Sequence, residues 1–250
     1  MRALSILILI AVAGCAHAAP LVAHAPAAPE VRQLDVGRGT NAFIVMGARP
    51  ILVDTGWGDL TPKVERALRD NGIAPDQLAL IVLTHGHGDH AGGAARLHQL
   101  SGAPVVAGRG DVTMLQAGHN RPLHPTGFLG KLLRSYSDRP FPPVTPDIAI
   151  DGELDLAPYG VAGKLVPAPG HTPGSLVVVL ATGDVIAGDL LRGGIGHSPQ
   201  RHLFHDDCRA DEAHIAPLVD AGGRRFYVGH GGPVDAQAAR KALHGQGCPE

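Results

Sequence analysis

Aromatic residues make up only 4% of this 250-residue chain, with one tryptophan, three tyrosines and five phenylalanines. A core built from such a sequence must be aliphatic. Charge of one sign is also missing: the formal net charge is −2, so no strong basic field exists to hold nucleic acid as a main partner. No apolar run is long enough for a permanent membrane helix. The longest, Leu4 to Ala13, falls well short of the roughly 20 residues that a bilayer requires. Cysteine occurs three times. After Cys15, only Cys208 and Cys248 remain to form a bridge that would pin the C-terminal tail in an oxidising compartment.

Glycine (34) and proline (21) are abundant, and hydrophobic residues reach 44%. That combination predicts one sizeable core made of short elements and many turns. The apolar run after Arg2 reads as a secretory signal over residues 1–14. "VAGC" (Val12–Cys15) resembles the lipobox of bacterial lipoproteins, whose cysteine becomes the lipidated first residue. This is the favoured ending. "AHA" (Ala16–Ala18), an A-x-A cleavage site, is the soluble alternative. The Ala/Pro-rich stretch 15–30 then serves as a tether, and 31–250 is the folded domain. The expected location is periplasmic, anchored to a membrane through Cys15.

From Val31 the patterning alternates between strands and helices. "VRQLDV", "NAFIVM" and "PILVD" read as strands. "TPKVERALRDNG" reads as a helix with Thr61 as N-cap and Pro62 in the first turn. "LALIVLT" (Leu78–Thr84) is a continuous apolar run, as in a buried strand. Residues from about 111 to 146 break the rhythm and are expected to form a lid or binding loop, with a short helix over 127–136. His119, His124, Phe128 and Tyr136 are its candidates for touching substrate. "IAIDGELDL" then reads as a hairpin turning at Asp151-Gly152. "GKLVPAPG", "SLVVVLATGDVIAGD" and "RRFYVGH" supply further strands, and two more helices follow. Strands then helices, given twice without any repeated sequence, suggest a sandwich of two sheets with helices outside, built from two similar halves.

Histidine and aspartate collect at strand ends beside glycine. His85, His87, Asp89 and His90 follow the strand ending at Thr84. His171 follows "LVPAPG", Asp189 ends "VIAGD" and His230 ends "FYVGH". Loops at strand ends are where a rigid scaffold presents chemistry, and imidazole with carboxylate is a donor set for a transition metal.

"THGHGDH" resembles the H-x-H-x-D-H signature of the metallo-β-lactamase superfamily. "PGHTPGS", Gly188-Asp189, "GHGGP" and the early "ILVDTG" are similar to its remaining motifs, in order. The resemblance implies the αββα fold with a site along one edge of both sheets. It also implies one metal on His85, His87 and His171, a second on Asp89, His90 and His230, and Asp189 bridging them, with Asp54 orienting a ligand. Two zinc ions, or iron or manganese, would hold a bridging hydroxide, with Asp89 keeping it in line for attack on an acyl carbon. A carboxylate at Asp189 resembles the glyoxalase II and lactonase ligand set, so lactones and thioesters are favoured, with β-lactams as a further class. The lactonases' tyrosine after that aspartate is replaced here by Leu190, Leu191 and Arg192. The alternative is a mononuclear iron oxygenase of the persulfide dioxygenase type on the same scaffold.

Overall fold

The computed structural model describes residues 28–193, 199–200 and 202–245; the leader, most of the tether, Cys15 and Cys248 lie outside them. Two antiparallel strands, β1 (Glu30–Gly37) and β2 (Thr40–Met46), open the chain, and β3 (Ile51–Val53) pairs antiparallel with β2. The chain leaves through α1 (Thr61–Asp70) and returns as β4 (Leu80–Val82), parallel to β3. Short helices α2 (Gly88–Ala91) and α3 (Ala94–Ser101) lead to β5 (Val105–Gly108). Helices α4 (Val112–Ala117) and α5 (Phe128–Ser137) lead to β6 (Ile148–Ile150). These six strands form the first sheet in chain order.

The second sheet holds β7 (Leu154–Asp155), β8 (Gly163–Pro167), β9 (Leu176–Leu180) and β10 (Asp184–Gly188), followed by a separate ribbon, β11 (Arg192–Gly193) with β12 (Pro199–Gln200). Helix α6 (Cys208–Asp220) precedes β13 (Arg225–Val228) and β14 (Val234–Asp235), and α7 (Ala236–Gly245) ends the fold. The order across the second sheet is β14-β13-β10-β9-β8-β7.

Period-two alternation builds the layers. In β2, Phe43 and Val45 face the other sheet, where they pack with Val53, Leu80, Val178 and Ile186. Ala42 and Ile44 face outward and meet Val64 and Leu68 of α1. The outer face of the second sheet, with Val177, Val185 and Phe226, packs on Ile215 and Val219 of α6. Three aliphatic clusters between four layers are the αββα sandwich, as expected. Val64 and Leu68, one turn apart and fully buried, make the stripe that seats α1; Leu68→Ala would cost about 2–5 kcal/mol.

Local readings differ from the structure in three places. "IAIDGELDL" is no hairpin: β6 belongs to the first sheet and β7 to the second, so the Asp151–Glu153 turn crosses between layers. Thr61 is not an N-cap. A 3₁₀ turn over Gly58–Leu60 runs straight into α1, and the Thr61 hydroxyl donates to the Gly58 carbonyl at 2.8 Å. The 111–146 segment is not wholly peripheral either. Asp111, Met114, Leu115, Phe141 and Val144 are buried, because both ends of the excursion are anchored in the core. Cys208 is disulfide-bonded; its expected partner, Cys248, lies outside the described residues.

Candidate metal centre

Four loops deliver the site, each at a strand's C-terminal end. The loop after β4 carries His85, His87, Asp89 and His90; those after β8, β10 and β13 carry His171, Asp189 and His230. The structure brings all seven together. Donor atoms of His85, His87 and His171 lie within 4.8 Å of one another, as do those of Asp89, His90 and His230, and those of His85, His90 and Asp189. Asp189 sits at the centre: its Oδ2 is 3.6 Å from His171 Nε2 and 3.3 Å from His230 Nε2, and its Oδ1 is 3.5 Å from His90 Nε2.

A surrounding layer of hydrogen bonds fixes which nitrogen points inward. Asp54 Oδ2 accepts from His90 Nδ1 at 2.9 Å and from the Thr84 hydroxyl at 2.8 Å, and that hydroxyl faces His85 Nδ1 at 3.1 Å. One buried carboxylate therefore orients two imidazoles, one of them through Thr84. Asp54 takes φ +60°, in the left-handed region, a costly conformation for a residue with a Cβ. His171 Nδ1 donates to the Phe204 carbonyl at 2.8 Å and His230 Nδ1 to that of Gly39 at 3.0 Å. Asp111, which sequence reading placed in the lid, instead ties two ligand loops. Its carboxylate accepts from Gly86 N, Thr172 Oγ1 and Gly174 N at 2.7–2.9 Å.

Glycine is obligatory next to His230. A Cβ on Gly229 would lie 2.1 Å from Asp189 Oδ1 and 2.5 Å from His90 Cε1. Gly188, at φ +53°, would press a Cβ to 2.8 Å from Thr84.

The electrostatics divide the cluster. Burial holds His85 and His171 well below the ordinary imidazole range and takes His87 to about 4, so these three are neutral lone-pair donors. Burial pushes His90 and His230 the same way, but facing carboxylates outweigh it. Asp189, Asp89 and Asp54 hold His90 well above its usual value, and Asp189 with Asp89 takes His230 to about 10. Burial would raise Asp89 and Asp189, yet neighbouring imidazoles keep both low: His90 and His230 at Asp89, and His202, His230 and His90 at Asp189. His85 Nε2 and Asp189 Oδ1 are buried without a hydrogen-bond partner. Orphaned polar atoms of this kind, converging with lone pairs and carboxylates, fit divalent cations.

The cluster floors a cleft of about 340 Å³ lined by Arg38, Trp57, Leu123, Leu133, Tyr136, Arg192, His202 and Phe204, among others. Of the four lid candidates, only Tyr136 reaches it, edge-on to Trp57 at 6.0 Å between centroids. His119 turns back to the Asn120 carbonyl and toward Asp138, His124 pairs with Asp206, and Phe128 points to solvent at 83% exposure. Sequence reading missed His202, whose Nε2 is 2.9 Å from Asp189 Oδ2. No strand end or flanking glycine marks it.

Comparison with known proteins agrees with this geometry. Residues 35–240 match the family model of the metallo-beta-lactamase superfamily. A hydroxyacylglutathione hydrolase of Anaeromyxobacter dehalogenans is 28% identical over 75% of this chain and 59% of its own length, so this chain spans less than two thirds of that relative. A probable metallo-hydrolase of Bacillus subtilis is 28% identical over 67% of this chain and 74% of its own. Among solved structures, a metallo-beta-lactamase from Cronobacter sakazakii superposes with a TM-score of 0.58 at 27% identity, covering 80% of this chain and 75% of that one. A protein crystallised in a di-iron-bound form shares the fold, with a TM-score of 0.60 at 24% identity over 85% and 98%.

Proposed function

The chain belongs to the metallo-beta-lactamase superfamily, and from that membership we propose that it is a dinuclear metal-dependent hydrolase of acyl compounds: lactones, thioesters or β-lactams. The observation that carries this reading is the meeting of two donor trios on either side of one buried carboxylate, Asp189.

His85, His87 and His171 would hold one cation; Asp89, His90 and His230 would hold the other, with Asp189 shared. Zinc suits this donor set, and iron or manganese is compatible with it. Two bound cations would supply Lewis acidity toward a substrate carbonyl and acidify water enough for it to serve as a nucleophile at neutral pH. The chain's own residues arrange that chemistry. Asp89, half-buried and lining the cleft, is placed to orient the attacking water's remaining proton. Asp54 keeps the donor lone pairs of His85 and His90 turned inward. Trp57, Leu133, Tyr136 and Phe204 shape an apolar wall for the acyl group, while Arg38 and Arg192 offer positive charge at the rim.

The test is a hydrolysis screen of zinc-loaded protein against lactones, thioesters, β-lactams and phosphodiesters, with metal analysis of the same sample. The reading expects turnover of an acyl class and two metals per chain. One iron per chain with oxygen consumption on persulfides would replace it by the oxygenase alternative.

No helix among the described residues is long and apolar enough to cross a membrane. We propose export and anchoring through a lipidated Cys15 on the sequence pattern of residues 1–15. An intact mass carrying diacylglycerol on Cys15 supports this; a mature chain starting at Ala19 contradicts it.

A further inference from the structure

We propose that His202 is a positioning residue that fixes Asp189 as the carboxylate shared by both cations, acting from a turn that also orients His171. The inference rests on the dinuclear reading above.

His202 is 6% exposed and stands in the loop before α6, outside every motif singled out in the sequence. Its Nε2 lies 2.9 Å from Asp189 Oδ2. Its Nδ1 faces the backbone N–H of Phe204 at 3.4 Å. A backbone amide can only donate, so Nδ1 is the acceptor and the ring's proton sits on Nε2. In that tautomer the Nε2 proton stands against Asp189 Oδ2, whereas a bare Nε2 would make a further cation donor beside His171 and Asp189; the Phe204 amide on Nδ1 assigns the first arrangement. The carboxylate's rotation about its Cβ–Cγ bond is thereby set. Oδ2 takes the His202 proton and faces His171 and His230, and Oδ1 is left for the His90 side.

The same turn holds a second ligand. The Phe204 carbonyl accepts from His171 Nδ1 at 2.8 Å. One residue further, His205 pairs with Asp211 of α6, which ties the turn to the helix behind it. Outward, the turn is stitched to the segment leading into α5: Thr126 N donates to the Leu203 carbonyl at 2.9 Å, Thr126 Oγ1 to that of His202 at 3.0 Å, and His205 N to that of His124 at 3.1 Å. The His202–His205 turn thus lies between the metal floor and the roof of the cleft. It grips one ligand of the first cation and the carboxylate common to both.

Other groups that orient ligands here act on one imidazole apiece or, like Asp54, on the His85–His90 side. The other imidazoles facing Asp189 among the described residues, His85, His90, His171 and His230, stand 3.3–3.9 Å away and belong to the two donor trios. His202 is closer and outside both trios, and on this proposal its Nε2 proton stays on Asp189 when cations bind instead of giving way to a third donor group with His171 and Asp189. Without it the carboxylate is free to turn, and the cation that depends on it most is the one with Asp89, His90 and His230. The first cation retains three imidazoles.

The experiment titrates Zn(II) into cation-free wild type, His202→Leu, His202→Ala and His202→Gln, with Co(II) spectra of the same proteins and far-UV circular dichroism as the check on folding. Leucine fills the space without a donor; glutamine restores an N–H near the position of Nε2. We expect wild-type affinity for the first equivalent in all variants. The second should weaken about 10- to 100-fold in the Leu and Ala variants, with the matching Co(II) bands absent, and His202→Gln should recover most of it. Should the alanine variant fail to fold, the Leu–Gln pair carries the comparison. Unchanged second-metal affinity in His202→Leu overturns the proposal. So does a glutamine variant as weak as leucine, the result expected if His202 ligates a cation through Nε2 together with His171 and Asp189. Wild type that takes up a single equivalent would instead sink the dinuclear reading itself.

Discussion

The floor and the roof of the cleft are built on opposite terms. In the floor, His85, His90, His171 and Asp189 are at most 2% exposed, and each inward-facing ring is held by a hydrogen bond on its far nitrogen. In the roof, α5 buries only Gly130, while Phe128 and Leu132 are 83% and 67% exposed. The floor cannot shift without leaving buried charges uncompensated, which is expensive. The roof can exchange side chains at little cost, so under the proposed function it is where substrate choice would reside. A fold used in this way separates chemistry from selectivity, and substitutions should divide the same way.

The floor's largest response should come from Gly229→Ala. The new Cβ overlaps Asp189 Oδ1, so hydrolysis should fall on the order of a thousandfold, read as kcat on whichever acyl substrate the screen finds. Near-wild-type turnover would mean that Asp189 is not where the reaction needs it.

Proton competition should come next. Facing carboxylates raise both His90 and His230 above the ordinary imidazole range in the cation-free protein, and the two Nε2 atoms, 3.4 Å apart, share a proton between them. A cation on the second site must displace that proton, so lowering the pH weakens binding and raising it strengthens binding. The second-equivalent affinity should climb by roughly tenfold per pH unit between about pH 6 and pH 9. Calorimetry in buffers of different ionisation enthalpy would count the released protons. A pH-independent affinity would break the division of the cluster into a neutral trio and a carboxylate-paired trio.

Asp54→Asn should weaken metal binding about 10- to 100-fold. The amide turns one accepting oxygen into a donor, so it can no longer accept from the Thr84 backbone, the Thr84 hydroxyl and His90 together. Equilibrium competition with a chelator measures this, and an unchanged constant would leave the strained φ of Asp54 unexplained. The roof should respond least. Tyr136→Ala should raise KM about fivefold and leave metal content and kcat alone, since it removes one apolar neighbour worth about 1 kcal/mol from the cleft wall. Lower metal content in that variant would join roof to floor and void the comparison.

The two regions also differed in how far the sequence disclosed them. His85 to His90, His171, Asp189 and His230 were legible because each follows an aliphatic strand and sits beside glycine, a local signal. The two sheets and their helices were legible from alternation for the same reason. The crossing at Asp151–Glu153 was not, because strand-turn-strand patterning is identical whether the strands pair or part into two layers. His202 and Asp111 were not, since their roles arise from loops distant in sequence that meet only in the folded chain. His119, His124 and Phe128 were drawn to the cleft by residue type alone, and the turn of the backbone carries them elsewhere.

The central claim is tested most directly by counting zinc in purified wild type and in Asp189→Ala, at saturating metal after removal of excess. The account predicts two ions per chain in active wild type, and one in a folded, inactive Asp189→Ala. Full hydrolytic activity with a single ion in wild type, or two ions retained without Asp189, would contradict it.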